Sequence, residues 1–326
     1  MMGLSTAVCS LFGIRHPVLL GGMAGASTPA LTAQVSLAGG LGIHGCSFQP
    51  PLQIEAWADE IRRLSDRPFG LNLLPFGADA TQVDAVLAAR PAVLSTGWAF
   101  PDQDLRTLFA RAHDVGSKVL HMVSSLPEAL RAADAGADAI VAQGTEGGGH
   151  VGVMGTMTLV PMVVRAVRPV PVVAAGGIAD GAGLAAALML GTDGVLLGTR
   201  FLATPESPLP ESFKRTIVES DGHNTLLTEI PDLINGRVWP GAYSRVARNR
   251  LIEEWLGREG ALRYRRREVV ARVQAAREQG NVDQSILYIG ETAGLIDALL
   301  PAATVVEQVV QEAEALLRGR SAAVLA

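Results

Sequence analysis

The sequence predicts an α/β protein, a (β/α)8 TIM barrel with an additional C-terminal helical segment that serves as a lid, and three observations predict it. Eight short apolar runs recur between positions 17 and 198, and seven of them lead through a helical segment to the next. The runs are continuously apolar rather than alternating, as strands covered on both faces require. The cadence stops near 205–210, where prolines cluster and the composition changes. Regular alternation implies parallel strands joined by right-handed crossovers, and eight repeats favour closure over an open sheet.

The first run spans 17–23 and leads into a Ser-Thr-Pro helix start at 27–29, with Ser27 as the expected cap and Pro29 early in the helix. The second, 41–45, precedes a helix over 52–64, in which Ile54, Trp57, Ala58, Ile61 and Leu64 recur at helical spacing. Strands at 69–74 and 92–96 follow, with helices over 82–89 and 104–115 after them. The runs at 118–123 and 139–143 lead into a helix over 127–135, then a glycine-rich loop and a helix over 158–167. The run at 171–175, a helix over 181–190 and the run at 195–198 complete the series. The expected organisation is a barrel core over 1–208, completed by an amphipathic helix over 302–317. A helical insert over 209–300 is expected to cover the substrate.

Composition excludes several classes. The chain has 326 residues, 48% of them hydrophobic, and a net charge of −5. Its mean hydropathy is +0.28, yet no apolar stretch approaches the ~20 residues of a membrane helix. The acidic balance argues against nucleic acid as a partner, and the Arg-rich 263–267 reads as a solvated helix face. Two cysteines, Cys9 and Cys46, make neither a disulfide framework nor a thiolate zinc site. Positions 1–14 lack a basic segment followed by a long apolar core, so a cytoplasmic protein is expected.

Function in such barrels collects at the carboxyl ends of the strands. The ends of the last two runs carry Gly176-Gly177 and Gly198-Thr199, the positions where these barrels commonly bind phosphate. Glycine lets backbone N–H groups approach a phosphate, and a helix N-terminus adds a favourable dipole. Gly181-Ala182-Gly183 mimics a dinucleotide fingerprint, but it lies inside a helical stretch and reads as close helix packing. Between Gln143 and His150 lie three consecutive glycines, a loop able to lie against a planar ligand. Gln143 offers both a donor and an acceptor there. His150 then stands at the barrel mouth, where an imidazole serves as acid, base or donor. His44 and His121 also end predicted strands. Glu146 with His150 is too small a set for a metal, and none is expected.

Five ordered motifs, GGMAGAS at 21–27, FGLNLL at 69–74, QGTEGGGHVG at 143–152, AAGGIADG at 174–181 and LGTRFLATPES at 197–207, resemble the nitronate monooxygenase family. This family shares its pattern with the flavin-dependent enoyl-ACP reductases. The resemblance implies FMN in the barrel. Gly22, Met23 and Ala24 would back the isoalloxazine ring, and Asn72 and Gln143 would bond its heteroatoms. Gly148, Gly177, Gly198 and Thr199 would surround the phosphate end, and His150 would face the substrate. The implied activity is oxidation of alkyl nitronates by dioxygen to carbonyl compounds and nitrite. The alternatives are NAD(P)H-dependent reduction of enoyl thioesters or quinones, and a phosphate-ligand barrel without redox activity. Glu291 stands where the family pattern has Gln, and 151–158 lacks a further histidine that some nitronate oxidisers carry. Trp98, Trp239, Tyr243 and Tyr288 are candidate pocket aromatics, and a homodimer is left open.

Overall fold

The computed structural model describes residues 4–324, so positions 1–3 of the N-terminal stretch read above lie outside it. Eight parallel strands form one sheet: β1 (Val18–Leu20), β2 (Gly42–Gly45), β3 (Phe69–Leu73), β4 (Val93–Gly97), β5 (Lys118–Val123), β6 (Ala139–Gln143), β8 (Val172–Ala175) and β9 (Gly194–Leu197). Their order is β1-β9-β8-β6-β5-β4-β3-β2. A parallel bridge between Leu19 and Leu41 joins the two ends, so the sheet closes into the expected barrel. Strands β1, β2, β3, β4 and β8 are buried along their whole length, which explains the absence of alternation.

Leu19, Ile43, Val93, Leu120, Val141 and Val173 point into the barrel. The helix Ala7–Phe12 adds Val8, Cys9 and Phe12 to this cluster. It closes the amino-terminal end of the barrel, where the Thr6 hydroxyl donates to the Asp193 carbonyl. The opposite end is left for the site. The other strand faces pack on surrounding helices through the largest apolar cluster. Thr28, not Ser27, caps the helix Pro29–Leu37, accepting from Leu31 N at 3.0 Å. Ser27 instead ties the first loop to β2: it donates to Met23 O at 3.0 Å and accepts from Gly45 N at 2.9 Å.

Beyond the barrel the chain is not only helical. Strands β10 (Thr225–Thr228) and β11 (Tyr243–Ala247) form a second, antiparallel sheet with β7 (Gly149–Val151), which lies inside the glycine-rich loop. Ser244 pairs with His150 in that register. The helix Ala302–Val324 returns to the barrel and packs on the helix Gly181–Met189. A Cβ at Gly181 would lie 2.5 Å from Ala313 N, so glycine is there for helix packing, not for a dinucleotide. No helix among the described residues is long and apolar enough to cross a membrane.

Candidate active site

The expected site residues all lie at the open end of the barrel and are linked by contact. Gly22 abuts Asn72, leaving no room for a side chain between them. Asn72 is buried and donates to Ser95 Oγ at 3.1 Å, which leaves its Oδ1 without a partner among the described residues. A Cβ on Gly198 would meet the Met23 sulfur at 3.6 Å, and Ala24 abuts Gly45. Gly290 N donates to Thr199 Oγ1 at 3.0 Å, and a Cβ on Gly148 would lie 2.5 Å from Gly290 N. The segment around Gly290 is therefore a strap from the last strand to the glycine loop. Glu291 N completes it by donating to Glu146 O at 3.0 Å.

Gly176 and Gly177 have positive φ, 84° and 75°, where a side chain would be strained. A Cβ on Gly176 would also lie 2.6 Å from Gly144 O, so the loops after β6 and β8 touch through backbone. Glu146 is held by the protein itself. Its carboxylate accepts from Thr156 N at 3.0 Å and Thr156 Oγ1 at 2.9 Å, capping the helix Thr156–Val167. That capping starts the helix two residues before the expected 158.

His150 stands on β7 over this end of the barrel. Its Nε2 is 2.7 Å from Asp232 Oδ1 and 3.0 Å from Ser244 Oγ, and Ser244 Oγ donates to Asp232 Oδ2 at 3.0 Å. The ring stacks on Trp239 with centroids 3.3 Å apart and planes 10° from parallel. Tyr288 lies 5.8 Å away, and Trp239 touches Phe76 and Trp98. Burial lowers the His150 pKa below its ordinary value, and the hydrogen bond to Asp232 opposes that shift. Burial also pushes the Tyr288 hydroxyl up, so it stays protonated. Arg245, itself buried, fastens β11 to the loop: Nε donates to Thr145 O at 2.8 Å and Nη1 pairs with Glu291 at 3.0 Å.

The other histidines at strand ends turn away from the mouth. His44 packs edge-on against Trp57, and His121 bonds Thr96 Oγ1 at 2.8 Å and packs near Phe109, both in the layer between strands and helices. Of the candidate aromatics, Trp98, Trp239 and Tyr288 join the cluster around His150, whereas Tyr243 is exposed. Sequence reading missed Asp232, Ser244 and Arg245. A strand pattern at 243–247 was the one available signal, with Ser244, Val246 and Ala247 buried.

The free polar atoms suit a flavin. Gln143 Oε1 is buried without a hydrogen-bond partner at the end of β6, and a buried acceptor left unpaired costs free energy unless something satisfies it. Asn72 Oδ1 is a second free acceptor, and the glycine turns after β8 and β9 present backbone where a phosphate is held in such barrels.

A family model described as nitronate monooxygenase matches residues 5–80 and 75–312. The chain belongs to the nitronate monooxygenase family. It is accordingly a flavin-dependent oxidoreductase. A Mycobacterium tuberculosis relative, named (3aS,4S,5R,7aS)-5-hydroxy-7a-methyl-1-oxo-octahydro-1H-indene-4-carboxyl-CoA dehydrogenase, is 31% identical over 99% of this chain and 100% of its own. A Staphylococcus aureus (strain N315) protein named probable nitronate monooxygenase is 30% identical over 77% of this chain and 80% of its own. The structure of FabK from Thermotoga maritima superposes with a TM-score of 0.87 at 34% identity, covering 97% of this chain and 98% of that one. Membership in the nitronate monooxygenase family accounts for the order and spacing of the five motifs, all within the matched residues.

Proposed function

We propose that the protein is an FMN-dependent oxidase of alkyl nitronates, which it converts with dioxygen to carbonyl compounds and nitrite. The observation that carries this reading is His150, half-buried at the mouth of a barrel whose strand ends leave Gln143 Oε1 unpaired. The bound flavin would supply the redox chemistry, taking electrons from the substrate and passing them to dioxygen. In this reading Gln143 and Asn72 bond the ring heteroatoms, with Gly22, Met23 and Ala24 behind it. Gly148, Gly176, Gly177, Gly198 and Thr199 hold the phosphate end. His150 orients the substrate and takes the α-proton where it arrives as the neutral nitroalkane, while Trp239, Trp98 and Phe76 exclude water. Residues 209–300 cover the substrate, over a core of 1–208 completed by the helix 302–317. Two buried free thiols, Cys9 and Cys46, suit a reducing cytoplasm.

Anaerobic mixing of the FMN-loaded protein with propyl-2-nitronate tests the reading. Loss of the flavin's visible absorbance supports it, and a fully oxidised spectrum overturns it. A second reading, exchange of hydride between flavin and an acyl thioester or quinone, has a specific observation in its favour. A carboxylate-backed, neutral imidazole suits moving a proton to or from an uncharged substrate, and the M. tuberculosis relative is named a carboxyl-CoA dehydrogenase. Rapid bleaching by NADH or NADPH, with none by nitronate, identifies the reductase form of that reading.

A further inference from the structure

The hydrogen-bond inventory around His150 has one self-consistent assignment of protons. Asp232 is buried, and as a carboxylate it accepts only. Ser244 has one hydroxyl proton, and Asp232 Oδ2 takes it at 3.0 Å. That proton is not available to His150 Nε2, which lies 3.0 Å from the same hydroxyl and 2.7 Å from Asp232 Oδ1. Nε2 must therefore carry a proton and donate it to Asp232. A neutral imidazole carries one N–H, so Nδ1 holds the lone pair. Nδ1 has no hydrogen-bond partner among the described residues, and it is not among the buried atoms sealed without one.

From this geometry we infer that Asp232 is the positioning residue of the site, holding His150 in the Nε2–H form so that Nδ1 is the atom that takes the α-proton of a neutral nitroalkane, leaving the nitronate to be oxidised. Ser244 is the second tether: it fixes the carboxylate plane and shares the Nε2 edge. The inference rests on the reading of His150 as the proton-transfer group. The helix Ile230–Asn235 supplies Asp232, and β11 supplies Ser244, so two separate elements converge on one nitrogen. The stack on Trp239 holds the ring plane while the carboxylate holds its rotation. The other groups facing the ring are the Arg237 guanidinium, which disfavours the imidazolium, and the Tyr288 hydroxyl, which stays neutral.

The test is nitrogen-15 NMR of the histidine rings in the full-length protein, with and without FMN, with His150 assigned by the His150→Gln variant. The wild type is expected to show a protonated Nε2 and a lone pair on Nδ1 at pH 8. In Asp232→Asn the Nδ1 protonation midpoint should fall by about one pH unit or more, since an opposite charge is removed, and both N–H forms should appear. Ser244→Ala, which keeps the carboxylate, should shift that midpoint by less and leave Nε2 protonated. With 2-nitropropane as substrate, the acid limb of the flavin-reduction rate should move with the NMR midpoint, with KM little changed. A proton on Nδ1 in the wild type overturns the inference, as does an unchanged N–H form and midpoint in a folded Asp232→Asn. If Asp232→Asn does not fold, the wild-type proton position and Ser244→Ala decide. Failure of the nitronate reading is seen separately, as wild-type flavin that nitronate does not bleach, and leaves the NMR result intact.

Discussion

His150 and Trp239 lie ring on ring, 3.3 Å between centroids, with the indole covering the imidazole that faces the barrel mouth. The indole is part of what buries His150, and burial is the main cause of its lowered pKa. Trp239→Ala should therefore move that pKa up toward the ordinary value. The base form is then lost at higher pH, so the acid limb of flavin reduction by 2-nitropropane shifts upward. A pH profile of the variant against the wild type measures this, and a downward shift would contradict it.

The strap across the glycine loop gives a contrast between neighbours. A Cβ at Gly148 would lie 2.5 Å from both Gly290 N and Ile289 C, atoms of backbone that cannot turn aside. A Cβ at Gly149 meets nothing within 4 Å, although its φ of 80° strains any side chain. Gly149→Ala should cost about 1–2 kcal/mol through backbone strain alone. Gly148→Ala should cost up to about 3 kcal/mol through overpacking and also weaken FMN binding, because the loop must lift. Melting temperature and an FMN titration of the two variants separate the effects.

Arg245 should matter for stability more than its surface neighbours. Its buried guanidinium bonds Thr145 O, Thr225 Oγ1 and Glu291. Arg245→Met removes all three and leaves the Thr145 carbonyl short of a donor, at a cost of about 2 kcal/mol. Denaturant unfolding reads the loss. Arg248→Met, at an exposed ion pair with Glu253, should change stability by less than about 1 kcal/mol.

Acid sensitivity follows from two histidines outside the site. Burial lowers the pKa of His44 to about 4 and of His121 to about 3. Below the ordinary value of 6.5 the unfolded chain binds protons that the folded chain refuses. Stability therefore falls as pH drops from about 6.5 toward 4, by ~1.4 kcal/mol per unit for each histidine. His44→Leu should flatten that slope by one histidine's share, whatever it does to stability at pH 8. Urea midpoints between pH 4 and 8 provide the measurement.

How much of this was legible in the chain differs between barrel and lid. The barrel strands were readable because each is a short apolar run, such as Val172–Ala175, whose neighbours in the sheet are its neighbours in the β–α order. Positions such as Gly22, Gln143 and His150 were readable because strand ends and glycine loops locate them with no need of distant partners. Asp232 and Ser244 were not, because their meaning is a pairing: β11 folds back on β7, some 94 residues earlier, and only then does Ser244 meet His150. A buried aspartate in the short helix Ile230–Asn235 has no local pattern to mark it. His44 and His121 looked like mouth residues because they are strand residues, but period-two alternation points them outward, beside Trp57 and Phe109.

The most direct test of the account is rapid mixing of FMN-loaded wild type and His150→Gln with 2-nitropropane, the neutral acid of the nitronate, in the absence of oxygen. The wild-type flavin should bleach, and the variant, with FMN still bound, should bleach about 100-fold more slowly, within the range of lost general acid–base help. A wild-type flavin that stays oxidised, or equal rates in the two proteins, would contradict it.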